Sequence, residues 1–157
     1  MSGPRSRQPR IGLPPLSGRS LDGERYEFPQ DLIRPNTFLV LAFRREQQRP
    51  VDSWLPWLLD LERGRPGVGV YEVPVLSIAY GPVRRIIDGG MARGVGTDDA
   101  RARTITVYTS VPRVTRALGL QGTSAIAVLL LDPGGTVLAM ETGAYDDLKA
   151  HRLTAAM

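Results

Sequence analysis

Thr37-Phe38-Leu39-Val40-Leu41-Ala42-Phe43, then Arg44-Arg45-Glu46-Gln47-Gln48-Arg49, then Pro50-Val51-Asp52-Ser53-Trp54-Leu55-Pro56: these twenty residues decide the fold. The first part is an unbroken apolar, β-prone run. Lacking alternation, it predicts a strand covered on both faces, as in a sheet flanked by helices. The middle is polar and irregular. Pro50 suits the first turn of a helix, with Asp52 and Ser53 placed to satisfy its free amides. Trp54, Leu55, Leu58, Leu59 and Leu61 recur at helical spacing and give that helix an inward face, which Pro56 is expected to kink.

Upstream, Leu16–Leu21 and Glu24–Phe28 alternate apolar and polar residues about Asp22-Gly23, a hairpin signal. Downstream, Val68–Val73 predicts a second core strand, and Pro82–Met91 a helix with Val83, Ile86 and Ile87 inward. Gly94–Arg103 is a polar connection and Thr104–Tyr108 a short strand. Val111–Leu118 is a helix stopped by Gly119, as a left-handed cap would stop it. Ala125–Leu131 and Thr136–Glu141 flank Asp132-Pro133-Gly134-Gly135, whose residues supply turn dihedrals. Tyr145–Thr154 closes the order as a helix with Leu148 and Leu153 buried. Strands alternating with helices, then a hairpin and a helix, predict an α/β fold: a central mixed sheet with helices on both faces and an N-terminal β-hairpin.

A chain of 157 residues is one domain's worth and buries roughly two thirds of its unfolded surface. It contains no Cys, which excludes thiol–disulfide oxidoreductase and peroxidase chemistry, disulfides and Cys-ligated metals. A single His excludes multi-His metal sites, and no metal or cofactor is expected. No run approaches the roughly 20 apolar residues of a membrane span. The formal charge of +4 is uneven, because Arg5, Arg7, Arg10, Arg19 and Arg25 outweigh Asp22 and Glu24 in the first twenty-five residues. The rest is nearly neutral, poor material for a nucleic-acid surface. Residues 1–13 read as a disordered basic tail and 14–157 as a single domain. Nucleic acid is expected at most as a weak partner of that tail. The tail lacks the apolar segment of a secretory signal, and the cytoplasm is the expected location.

The order of elements resembles the thioredoxin-like fold, with the N-terminal hairpin of its peroxiredoxin and membrane-anchored thiol-reductase branches. Phe38–Phe43 looks like that family's central strand, and Leu129–Val137 like its terminal hairpin. Gly143 falls where the family commonly has a glycine before the last helix. On that frame the redox motif Cys-x-Pro-Cys falls on Gln48-Arg49-Pro50-Val51: the proline is kept and both sulfurs are absent. The family's cis-proline would fall near Thr123–Ala125, where no proline stands. Arg84–Arg93, Thr104–Leu118 and Ala127–Gly135 are also similar to the assembly factor for the ATP synthase membrane sector. Leu138-Ala139-Met140 departs from that family, which usually has an arginine–tryptophan pair there.

The resemblance implies a redox-inactive module that binds a protein or peptide, or assists assembly of a complex, on the surface of Arg44, Arg45, Gln47, Gln48, Arg49, Pro50, Val51, Thr123, Ser124 and Ala125, a face that runs on to Ile126. Redox relatives hold extended chains there by backbone contacts that need no cysteine. The same arginine-rich segment fits two other readings: a solvated loop, or an anion or acidic-peptide site at a helix N-terminus, which in a sensor or non-thiol enzyme would take a small anion. No catalytic residue is assigned. Trp54 and Trp57 share a face and read as core with one ring partly exposed. Asp98-Asp99 and Asp146-Asp147 read as helix caps and solvated acids, and His151 as a surface residue. Gly89, Gly90, Gly94 and Gly96 lack phosphate-loop spacing and read as a flexible loop.

Overall fold

The computed structural model describes residues 10–77 and 97–157. Its strands are β1 (Leu16–Ser20), β2 (Arg25–Phe28), β3 (Asn36–Ala42), β4 (Val68–Ser77), β5 (Ile105–Thr109), β6 (Ala127–Leu131) and β7 (Val137–Thr142). Its helices are α1 (Gln48–Gly64), α2 (Asp98–Arg103), α3 (Val111–Ala117) and α4 (Asp147–Ala155). The strands form one seven-stranded sheet in the order β2-β1-β5-β4-β3-β6-β7. β3 pairs parallel with β4, with Phe38 opposite Val70, and antiparallel with β6, with Leu39 opposite Leu129.

The lack of alternation in β3 has the cause expected. Leu39 and Leu41 point to one face, where Val73, Val75, Ile105, Val107 and Leu129 meet Val114 and Leu118 at α3. Phe38 and Val40 point to the other, where Val70, Val128 and Leu130 meet Val51, Trp54 and Leu58 of α1 and Ala150 and Leu153 of α4. The mixed sheet with helices on both faces and an N-terminal hairpin is therefore present. Gly119 has φ +69°, the left-handed conformation that ends α3. Gly18 serves a different purpose: a Cβ there would lie 2.8 Å from both Ile105 Cγ2 and Thr106 O, so β1 can approach β5 only without one.

Several local expectations are corrected. The connection before β5 contains the helix α2, capped by Thr97 Oγ1, which accepts from Ala100 N at 3.1 Å. A six-residue helix shows no apolar periodicity, so its cap and the acids Asp98 and Asp99 were its only signals. Leu148 is 71% exposed, and Ala150 joins Leu153 in the core instead. Two residues of helix turn through about 200°, which puts Leu148 on the face opposite Ala150. Asp52 and Ser53 do not cap α1: Asp52 accepts from Gln48 Nε2, and Ser53 Oγ donates to Pro50 O. Helix α1 continues through Pro56.

The N-terminal boundary moves as well. Leu13, placed in the tail, is buried, and its N–H donates to Gly135 O at 2.8 Å, while Val137 N donates to Ile11 O at 2.8 Å. Residues 1–9, the Pro82–Met91 helix and the Gly89–Gly96 loop lie outside the described residues, as does the Arg84–Arg93 segment.

A polar cluster ties α2 to α1 and β4. Arg103 donates to Glu62 Oε1 at 3.1 Å and to Val70 O at 3.2 Å, and Val70 N donates to Glu62 Oε2 at 3.0 Å. Beside it Thr104 Oγ1 lies 2.7 Å from Ala100 O and 3.0 Å from Glu72 Oε2. A hydroxyl has one proton. Ala100 O and the Glu72 carboxylate compete for it, and the bond donated to Glu72 favours the charged carboxylate. Burial pushes the Glu72 pKa up, against the opposing influence of Thr104 and Arg103.

Two predictions follow from this packing. Leu153→Ala should cost about 2–5 kcal/mol by chemical denaturation, whereas Leu148→Ala should stay within about 0.5 kcal/mol of the parent. The folded chain holds the Glu72 proton to higher pH than the unfolded chain, so stability falls as pH rises between the two pKa values. Glu72→Gln should therefore raise the melting temperature at pH 7. The gain should shrink to nothing below the ordinary carboxylate range, and a series of melts from pH 3 to about pH 8 checks it.

Candidate functional site

Where β3 ends, the chain makes a 3-10 turn at Arg45–Gln47 and enters α1 directly. The β3–β6 ladder stops at Leu41 opposite Ala127, and the two strands part beyond it. The Gln47 carboxamide spans the gap. It is 5% exposed; Oε1 accepts from Phe43 N (2.8 Å) and Arg44 N (3.1 Å), and Nε2 donates to Thr123 O (2.6 Å). Arg44 adds a second tie, with Nε and Nη2 donating to Thr123 Oγ1 at 3.1 and 3.0 Å.

Beside this clamp lies a shallow groove of about 410 Å³. Gln47, Arg49, Pro50, Ser124, Ala125 and Ile126, all expected from the sequence, line it. The other expected residues do not. Arg44 and Thr123 are engaged with each other, and Val51 is buried against the sheet. Arg45 and Gln48 are exposed, and Gln48 Nε2 donates to Asp52 Oδ1 at 2.7 Å. Ser124 and Ala125 are exposed and have no hydrogen-bond partner among the described residues.

Sequence reasoning missed Ser53, Gly143 and Ala144, which complete the lining. Their arrangement follows from α1. Ser53 Oγ, bonded to Pro50 O at 2.6 Å, also accepts from Tyr145 N at 3.0 Å. One turn of helix brings Trp54 under the same wall, where Nε1 donates to Gly143 O at 2.9 Å. The Trp54 ring meets Tyr145 edge-on at 5.2 Å and Trp57 at 5.8 Å. Trp54 is fully buried and Trp57 half-buried, the core arrangement expected for the pair. No alternating pattern marks these contacts in the sequence, because they depend on β7 and α4 folding back beside α1. His151 is exposed, and Asp147 accepts from the Tyr145 hydroxyl at 2.9 Å.

Replacing Gln47 by Ala leaves two backbone donors and one acceptor without partners. The variant should lose about 1–3 kcal/mol of stability, with faster amide exchange at Phe43 and Arg44 than in the parent. Gln47→Glu should be less stable than the parent too, since a carboxylate accepts from those amides but repels Thr123 O.

No family model and no curated protein matches the chain. Solved structures do. It is similar to copper-bound ScoI of Arabidopsis thaliana, with a TM-score of 0.59 and 18% identity over 92% of this chain and 96% of that one. It is similar to BsSco, a member of the Sco family of cytochrome c oxidase assembly proteins, with a TM-score of 0.60 and 10% identity over 94% and 92%. It is also similar to the thioredoxin domain of a thiol-disulfide oxidoreductase of Bacteroides vulgatus, with a TM-score of 0.57 and 19% identity over 96% and 99%. At these identities the common ground is the backbone, not the chemistry. By strand order, hairpin and these likenesses, the chain has the thioredoxin-like fold, with no cysteine in it.

Proposed function

We propose that this protein is a redox-inactive thioredoxin-like module that binds an extended segment of a protein partner in the groove between α1 and Ser124–Ile126, and acts in assembling a larger complex. The observation that carries the reading is the bare backbone of Ser124 and Ala125 at the groove's edge, where a strand-like segment would find main-chain donors and acceptors. Positions 48 and 51 hold Gln and Val, neither of which forms a thiolate.

The assembly role is supported by the description of the Sco family as cytochrome c oxidase assembly proteins and by the sequence likeness to the ATP synthase assembly factor. Copper is not carried over from the copper-bound neighbour. A chain with one His and no Cys lacks the soft thiolate donors that select Cu(I). Among the described residues no helix is long and apolar enough to cross a membrane. We place the module in the cytoplasm, meeting its partner from the aqueous side.

A photo-crosslinking residue at position 125, introduced in the native host, should trap a discrete adduct. The same residue at position 63, on the last turn of α1, should not, and Ser124→Trp should abolish the adduct. Equal trapping from both positions would sink the groove as the binding face. Absence of any adduct, together with stabilisation by phosphate, nucleotide or carboxylate in a thermal-shift screen, would replace this reading with a small-anion site at Arg45 and Arg49.

A further inference from the structure

The groove's walls also say what kind of segment it takes. Arg49 is the ionisable residue among those that line it, and its guanidinium is exposed with no partner among the described residues. Arg45, in the 3-10 turn just before α1, is in the same condition.

The neighbouring acids are mostly engaged. Asp52 accepts from Gln48 Nε2, and Asp147 from the Tyr145 hydroxyl. Asp146 caps α4 through Lys149 N at 2.8 Å and lies 3.8 Å from Lys149 Nζ, which itself donates to Ala144 O at 2.9 Å. Glu46 is the exception: it is exposed and unpartnered, and it offsets one of the arginines in the Arg44–Arg49 segment. That leaves the segment with a net charge of +2, carried in part by an arginine in the groove wall. Most of the other lining residues are small, Ser53, Ser124, Ala125, Gly143 and Ala144, with Gln47, Pro50 and Ile126 beside them. Such walls let a backbone approach closely and give no deep apolar socket in which a large side chain would be selected.

Resting on the peptide-binding reading above, we infer that the occupant is an extended segment selected by an acidic side chain, which pairs with the Arg49 guanidinium while its backbone runs along Ser124 and Ala125. Guanidinium presents a planar fork that matches a carboxylate, so charge rather than bulk sets the preference. Arg45 adds long-range attraction that salt weakens.

Selection of a random heptapeptide phage library on the immobilised full chain tests this. Enriched sequences should carry Asp or Glu at a fixed offset within the selected window, and selection on Arg49→Glu should shift that position to Lys or Arg. A synthetic peptide from the enriched pool should bind about tenfold more weakly to Arg49→Ala, the loss of one charge-assisted hydrogen bond, and unchanged to Arg63→Ala. Enrichment without a charge preference, or a preference that Arg49→Glu leaves intact, would overturn the acidic specificity and leave peptide binding standing. Failure to enrich above an uncoated surface would overturn both.

Discussion

A strand buried on both faces is the constraint from which the rest of this structure follows. β3 carries Thr37 to Leu41 below 3% exposure, so its side chains need cover above and below. The cover on one side comes from α1, which the chain must send back across the sheet immediately after the strand. The cover on the other comes from α3 and the N-terminal residues Leu13, Leu16 and Phe28. The tight return leaves the strand end, the 3-10 turn and the first turn of α1 stacked in a few residues. Polar backbone crowded there needs partners, and Gln47 supplies three of them from one side chain. The groove exists because β3 and β6 part at this clamp instead of continuing their ladder.

The clamp holds the groove's backbone without sulfur. Val51 lies on the inward face of α1 with Trp54 and Leu58, and an apolar side chain at that depth adds to the core. Gln48 lies on the outward face and bonds Asp52, one turn on. Each position of the Cys-x-Pro-Cys frame thus carries a residue suited to its exposure. Neither is needed to hold the backbone, because Gln47 and Arg44 fasten the turn to Thr123. The backbone near Thr123–Ala125 is positioned from the side, by side-chain bonds, where the family pattern places a proline.

What the sequence revealed and what it withheld divide along physical lines. β3, the hairpin about Gly23, the Gly119 stop and the β6–β7 hairpin announce themselves through local chemistry: continuous burial, φ above zero, and turn residues. Helix α2 and the exposed side of Leu148 did not, since six residues carry no period and a short amphipathic helix fixes its phase only by docking. At the site, Gln47, Arg49, Pro50, Ser124, Ala125 and Ile126 were legible because they are near one another in sequence or lie on the family frame. Ser53, Gly143 and Ala144 were not. Their place depends on a contact spanning more than eighty residues, Trp54 Nε1 to Gly143 O, and no local pattern encodes the far end of such a bond.

That same contact bears on how the groove would work. Its three sides are the first turn of α1, the segment before β6, and the turn after β7, and each pair of sides is joined. Gln47 and Arg44 join the α1 entry to Thr123; Ser53 and Trp54 join α1 to Gly143–Tyr145; Gly143 N donating to Ile126 O at 3.0 Å joins the remaining two. A ring of bonds closed in this way fixes the groove's width before anything enters it. An occupant would then order its own chain but not the walls, which lowers the cost of binding a short extended segment. On the proposed reading, much of the discrimination would fall to the group in the wall that no bond of the ring uses, the guanidinium of Arg49.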